Sequence, residues 1–116
     1  TDITGFGLLG HLGEMLQNNT DLSIQLQSSA IPSYPGALAL LGSGISSTLA
    51  PANRAAWRLL EGSVRLEQPP GAALLELLVD PQTCGPLLVA CTSDAAEHLT
   101  RIGPWIQIGT ATTARG

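Results

Sequence analysis

Apolar residues near the start of the chain recur every three or four positions, which is the spacing of one helical face. They are Leu8, Leu9, Leu12, Met15 and Leu16. The pattern predicts a helix over about 5–17. We expect Asp2 or Thr4 to cap its start, and the Asn18–Asn19 pair to end it.

Later stretches predict both strands and helices. Alternation of apolar and polar residues predicts strands over 22–26, 63–68 and 105–112. The continuous apolar run over 87–92 is typical of a strand that is covered on both faces. Helices are predicted after Pro35, over 53–60 beyond a break at Pro51, over 70–79, and from a cap at Ser93 to about 102.

This mixed order of helices and strands predicts an α/β (α+β) fold built in layers. A chain of 116 residues is long enough for one core and too short for two comfortable ones. We therefore expect a single domain over 1–116.

The charge of the chain is low and acidic. Charged residues make up 12% of the sequence and hydrophobic residues 44%. The charged share is about half that of a typical soluble domain, so part of the surface is either neutral or covered by something else. All five basic residues are arginine and the net charge is −4. Such a chain offers no basic stripe for nucleic acid, and no apolar run approaches the length of a membrane span.

Cys84 and Cys91 are the two cysteines of the sequence. They lack the further ligands that a structural zinc site needs. We expect a reduced, cytoplasmic protein with no disulfide.

Glycines accompany the first predicted helix in unusual number. Gly7, Gly10 and Gly13 recur every three residues and would form a bare strip along one side of the helix. Two explanations stay open: the strip packs inside this domain, or a neighbouring domain approaches it. On the second explanation, Gly10→Ala would be neutral or stabilising in this chain. Gly5 is expected to need a positive φ.

Three places in the sequence could carry chemistry. The carboxylate of Asp2 stands ahead of a helix, where it could cap that helix or bind a hard cation such as Mg²⁺. His11 could act as a base, although a hydrogen-bonded histidine at the domain surface is the commoner case. Thr83 to Gly85 forms a turn whose hydroxyl and backbone N–H groups could hold an anion, although most such turns are plain.

Two of these stretches together resemble selenophosphate synthetases (selenide, water dikinases). "TDITGFGLLGH" is similar to the family's Thr-Asp-x-Thr-Gly-Phe-Gly-Leu-Leu-Gly-His pattern, and "DPQTCGPLL" is similar to its Asp-Pro-Gln-Thr-Ser-Gly-Gly-Leu-Leu pattern. Weaker similarities in "YPGALALL", "SSTLAPANR" and "WIQIGTAT" extend the resemblance over nearly the whole chain. Cys84 and Pro86 depart from the family's serine and glycine, and Pro86 has no N–H to offer a ligand.

The resemblance implies the C-terminal domain of a two-domain enzyme that makes selenophosphate from selenide, ATP and water. The implied fold is that of the C-terminal domain of aminoimidazole ribonucleotide synthetase, a mixed sheet with helices on both faces, partly ferredoxin-like. The family's N-terminal ATP-binding domain, with its reactive cysteine or selenocysteine and its lysine, is absent from this chain. The full-length enzyme is implied to be a homodimer.

The site residues follow from the same resemblance. Asp2 matches the aspartate that this domain lends to the Mg²⁺ cluster on ATP. Thr83 and Gly85 lie in a loop that could face a ligand. No catalytic residue is expected in the chain, which should bind neither Mg²⁺ nor ATP and should be inactive by itself.

Two other functions stay open at this point. The chain could belong to another ATP-dependent enzyme of the same fold, although the pairing of "TDITGFGLLGH" with "DPQT" argues against this. It could also be an interaction module without catalysis. The gene sequence ahead of Thr1 would distinguish the dikinase from the interaction module. An upstream half with a glycine-rich segment that contains a cysteine and a lysine would support the dikinase, and its absence would support the module.

Overall fold

The computed structural model describes residues 1–19, 21–60, 62–67 and 71–113, which form five α-helices and three strands. The helices are α1 (Gly7–Leu16), α2 (Ala37–Gly42), α3 (Ala50–Trp57), α4 (Ala72–Val79) and α5 (Ser93–Ile102), and the strands are β1 (Leu22–Leu26), β2 (Val64–Leu66) and β3 (Gly109–Thr113). Short 3₁₀ segments follow β1 (Ser28–Ala30) and α3 (Arg58–Leu60).

The three strands form one mixed sheet in the order β2-β1-β3. β1 lies in the middle, parallel to β2 and antiparallel to β3. In register, Ile24 of β1 is opposite Val64 of β2 and Ala111 of β3. The α/β class and the mixed sheet are therefore confirmed.

The core lies between the sheet and the helices α1, α3 and α4. On β1 the side chains of Ile24 and Leu26 are buried, whereas Gln25 between them is exposed. The predicted single buried face of this strand is thus confirmed. The buried core residues are Leu9, Leu12, Leu16, Ile24, Leu26, Trp57, Val64, Leu78 and Val79. Each large side chain removed from water in this way stabilises the fold by about 1.5–3 kcal/mol.

Several element boundaries differ from those predicted. Pro51 does not break a helix; it occupies the first turn of α3, where a missing N–H costs nothing. The cap of α5 is Thr92 rather than Ser93, because the Thr92 hydroxyl accepts a hydrogen bond from the Ala95 N–H. β3 begins at Gly109, so Trp105 lies before the strand. The predicted strand over 63–68 is formed at 64–66, and its expected end at 68, like the expected start of α4 at 70, falls outside the described residues.

The predicted buried strand over 87–92 is wrong for this chain. Among the described residues, the segment pairs with the first residues of the chain only, around an antiparallel bridge between Leu87 and Asp2, and it is not a strand of the three-stranded sheet. Leu87 is 64% exposed and Val89 is 48% exposed. The segment therefore has the composition of a strand buried on both faces, but in this chain it is exposed.

The start of α1 also differs from the expectation. Phe6 is the N-cap residue and no side chain caps the helix, so neither Asp2 nor Thr4 has that role. Gly7, the first helical residue, has a φ of +74°. Gly5, for which a positive φ was expected, does not have one.

The glycine strip packs inside this domain. A Cβ added to Gly7 would lie 2.7 Å from the Val79 carbonyl carbon, which brings the backbones of α1 and α4 together. At Gly10 it would lie 2.6 Å from the Phe6 Cβ, and at Gly13 2.6 Å from a Leu60 methyl group. The expectation that Gly10→Ala is neutral in this chain is therefore wrong, since the added methyl has no room.

We predict that Gly7→Ala destabilises the chain by about 2–5 kcal/mol. An L-residue at this φ costs about 1–2 kcal/mol, and overpacking against fixed backbone adds about 1–3 kcal/mol. Urea unfolding measures the change.

Gly5→Ala is the matched control, because nothing within 4 Å would meet its Cβ. That variant should keep the wild-type free energy of unfolding within about 1 kcal/mol. Equal losses in the two variants would contradict the account of the α1–α4 contact.

Candidate functional site

The two stretches singled out in the sequence lie side by side in the structure. The Ile3 N–H donates to the Pro86 carbonyl over 2.8 Å, and the Leu88 N–H donates to the Thr1 carbonyl over 2.7 Å. The Thr1 amino group donates back to the Leu88 carbonyl over 2.9 Å. The residues ahead of α1 and those after α4 therefore form one backbone unit.

Gly85 allows this unit to close. A Cβ on Gly85 would overlap the Ile3 carbonyl oxygen, so no other residue fits without a backbone shift. Thr83 and Cys84 beside it are exposed. In the antiparallel pairing, Pro86 is opposite Ile3, and an N–H at position 86 would point toward Ile3. The proline thus removes a bond to the Asp2 segment, and its carbonyl keeps the other bond of the pair.

Asp2 stands at the exposed edge of this unit. Its backbone bridges to Leu87, and its carboxylate makes no hydrogen bond or ion pair with any described residue. The loop bearing it is fixed further by the Thr4 carbonyl, which accepts the Gln82 N–H over 3.0 Å. Asp2 therefore has a solvent-exposed carboxylate on a backbone that is hydrogen-bonded to residues 82–88 both before and after it.

By itself the Asp2 carboxylate could supply one ligand to a metal ion, not a complete site. Among the described residues no group of three or more His, Cys, Asp or Glu side chains could hold a metal ion. Mg²⁺ keeps several waters and needs only one or two protein carboxylates besides substrate phosphates. An exposed, unpaired carboxylate such as Asp2 suits that chemistry.

His11 is buried and hydrogen-bonded, not placed at the surface as the sequence suggested. Its Nδ1 lies 2.6 Å from a Glu14 carboxylate oxygen, and its Nε2 lies 3.0 Å from the Thr4 hydroxyl. In the neutral ring with its proton on Nδ1, the Nδ1–H donates to Glu14 and Nε2 accepts the Thr4 hydroxyl proton. The histidine thereby ties the Asp2 loop to the second turn of α1, and the Phe6 ring packs beside it at 5.4 Å between centroids.

Asn53 of α3 is a residue of the site that sequence reasoning missed. Its side-chain amide donates to the Gly5 carbonyl over 3.0 Å and to the Val79 carbonyl over 2.9 Å. One side chain thus satisfies an acceptor on the Asp2 loop and another at the end of α4. The only available signal was an asparagine, a poor helix former, inside a helical stretch.

A second polar group lies on the other side of α4. Arg54 pairs with Glu76, and the two side chains line a cleft of about 300 Å³ between α2, α3 and α4. Asp80 lines an adjoining cleft of about 240 Å³. Partial burial raises the pKa of the Asp80 carboxyl, a hydrogen bond from Gln82 lowers that pKa, and the charge of Glu76 raises it. These groups adjoin the α4 end that contacts Gly7.

The chain is homologous to selenide, water dikinases. It is 39% identical over 102 residues to the protein of that name from Pseudomonas straminea. The aligned region covers 88% of this chain and 28% of that relative. The Burkholderia pseudomallei protein is 40% identical over 99 residues, and the Salmonella typhi protein 39% over 99 residues, each covering 85% of this chain. The chain spans about a quarter of the length of these relatives. No family model matches it.

Within residues 1–19, 21–60, 62–67 and 71–113, every helix is too short or too polar to cross a lipid bilayer.

We predict that Asn53→Ala lowers the free energy of unfolding by about 1–3 kcal/mol. The substitution leaves the carbonyls of Gly5 and Val79 without their donor in a partly buried place. Thermal or urea unfolding measures the change. Asn18→Ala, at an exposed position after α1, is the control and should change stability by less than about 0.5 kcal/mol. Equal effects would show that the amide of Asn53 does not hold the two segments together.

Proposed function

We propose that this chain is the C-terminal part of a selenide, water dikinase, which makes selenophosphate from selenide, ATP and water. One observation carries the proposal. The chain is 39–40% identical to such dikinases over most of its length, and the two stretches that resemble that family meet in space beside Asp2. The parent enzyme is then a cytoplasmic homodimer whose N-terminal domain binds ATP.

In this proposal Asp2 supplies one carboxylate to Mg²⁺ bound on the phosphates of ATP. The metal, when bound, neutralises charge on the phosphates and orients them. The protein's contribution is the position of the Asp2 carboxylate, which depends on the bonds from Ile3 to Pro86 and from Gln82 to Thr4. The other ligands come from the N-terminal domain.

The turn at 83–85 has two roles in the proposal. Gly85 sets the separation between the turn and the Asp2 loop, because any side chain there would strike the Ile3 carbonyl. Thr83 is exposed beside that loop, so its hydroxyl and the backbone at Gly85 can face the bound nucleotide. Pro86 offers no N–H, so a backbone N–H contact to a ligand at that position is excluded.

A different class of function, an interaction module without catalysis, predicts another use of the same surface. It would leave the Asp2 carboxylate without consequence for chemistry. The experiment below separates the two proposals, because only the enzyme proposal ties Asp2 to turnover.

We predict that Asp2→Asn in the full-length protein lowers AMP formation from ATP, selenide and Mg²⁺ by about 100-fold or more. Loss of a group that only supports a metal ligand already costs about 10–100-fold, and an amide cannot replace the lost charge. The chain of 116 residues alone should form no AMP above the blank. AMP release is measured by chromatography.

The control is Asp21→Asn, a change at another exposed aspartate, which should keep full activity. The Asp2 carboxylate has no partner in the described residues, so Asp2→Asn should leave the unfolding temperature of the protein unchanged. Asp2 would instead be structural if its substitution lowered stability and activity only followed the folded fraction. Full activity of the variant would contradict the enzyme role of Asp2.

A further inference from the structure

A short antiparallel ladder runs off the start of the chain. Ile3 pairs with Pro86, Asp2 with Leu87, and Thr1 with Leu88. Thr1 and Leu88 exchange both of their hydrogen bonds, at 2.7 and 2.9 Å. The pairing is therefore fully formed at its last residue, and its geometry is already that of a strand pair.

The partner segment continues beyond the point where the ladder stops. Leu88 is followed by three exposed residues, Val89, Ala90 and Cys91. The Ala90 N–H donates no backbone hydrogen bond to another described residue. An extended segment with free N–H and C=O groups is a template for pairing with another strand. The run is exposed although it is continuously apolar, a composition that is typical of strands covered on both faces.

We propose that the residues directly ahead of Thr1 in the longer protein form a β-strand antiparallel to 89–91 and cover this edge. The inference rests on the proposed function, which makes the chain part of a longer protein. The direction is set by the existing ladder: a chain entering at Thr1 in the same extended conformation runs alongside Val89, Ala90 and Cys91. The Thr1 nitrogen, now an amine, would make the same bond to Leu88 as an amide N–H.

The register follows from the pairs already formed. The first residue ahead of Thr1 is opposite Val89, the second is opposite Ala90, and the third is opposite Cys91. Hydrogen-bonded and non-hydrogen-bonded pairs alternate along an antiparallel ladder. Because Thr1 and Leu88 are a hydrogen-bonded pair, the pair at Ala90 is hydrogen-bonded and the pair at Cys91 is not.

This register places a native thiol where it can report the pairing. In a non-hydrogen-bonded antiparallel pair the Cα atoms are about 4.5 Å apart, which lies within the range for a disulfide. Cys91 is exposed and free, so it can react. Cys84, the other free cysteine, lies at the turn before the ladder and would not be in register.

The test uses the full-length protein with Cys84→Ser. Replacing the third residue ahead of Thr1 with cysteine should give a disulfide to Cys91 under a mild oxidant, found by peptide mass mapping. Replacing the second residue is the matched control. Its side chain points to the other face of the strand, so it should not cross-link. In the unsubstituted protein, the Ala90 amide should be as protected from hydrogen exchange as the Leu88 amide.

Three results would overturn the proposal: no disulfide at the third position, equal cross-linking at both positions, or fast exchange at Ala90 beside a protected Leu88. Disulfides between two Cys91 residues would show that a second copy covers the edge. AMP formation by the same full-length protein is measured in parallel. An active enzyme without the cross-link would refute the strand and leave the proposed function standing.

Discussion

The close contact of the first turn of α1 with the end of α4 is the constraint on which the rest of the structure depends. Gly7 brings the α1 backbone onto the carbonyls of Val79 and Asp80, where no side chain would fit. The contact sets the residues ahead of α1 beside those that follow α4, and Asn53 joins the same two segments from α3. The backbone bonds between 1–4 and 82–88, and the position of Asp2, follow from this contact.

The elements with strong local patterns could be predicted from the sequence. β1 was predicted at its observed bounds, because alternation at Ile24, Gln25 and Leu26 matches one buried face. α1 was predicted because its leucines recur at helical spacing; in the structure Leu9, Leu12 and Leu16 are buried, and the partly buried Leu8 packs against the core. The Asp2 stretch and the turn at 83–85 share a resemblance to one family, but no sequence pattern predicted that they lie side by side, as they do in the structure. Asp2 as a metal ligand stays a prediction.

The predictions that failed concern contacts between residues far apart in the sequence, which local patterns do not encode. The spacing of the glycines did not indicate whether they pack inside this domain or against another one. The contact at Gly7 involves residues more than seventy positions away. The sequence does not indicate the role of Asn53, because its two acceptors, the carbonyls of Gly5 and Val79, lie far from it along the chain. The run over 87–92 has a composition suited to burial, but its exposure depends on what lies beside it. An apolar pattern indicates that a strand is suited to burial, but it does not identify the segment that buries it.

Amide hydrogen exchange of Gly7→Ala tests the central constraint most directly. In the wild-type chain the amides of Ile3, Gln82 and Leu88 are held by bonds between the two segments, whereas the Ile24 amide is held by the Ser63 carbonyl beside the sheet. We expect Gly7→Ala, but not Gly5→Ala, to speed exchange at the first three amides by more than at Ile24, which loses only the global destabilisation. Unchanged protection of Ile3, Gln82 and Leu88, or a loss at them no greater than that at Ile24, would contradict this.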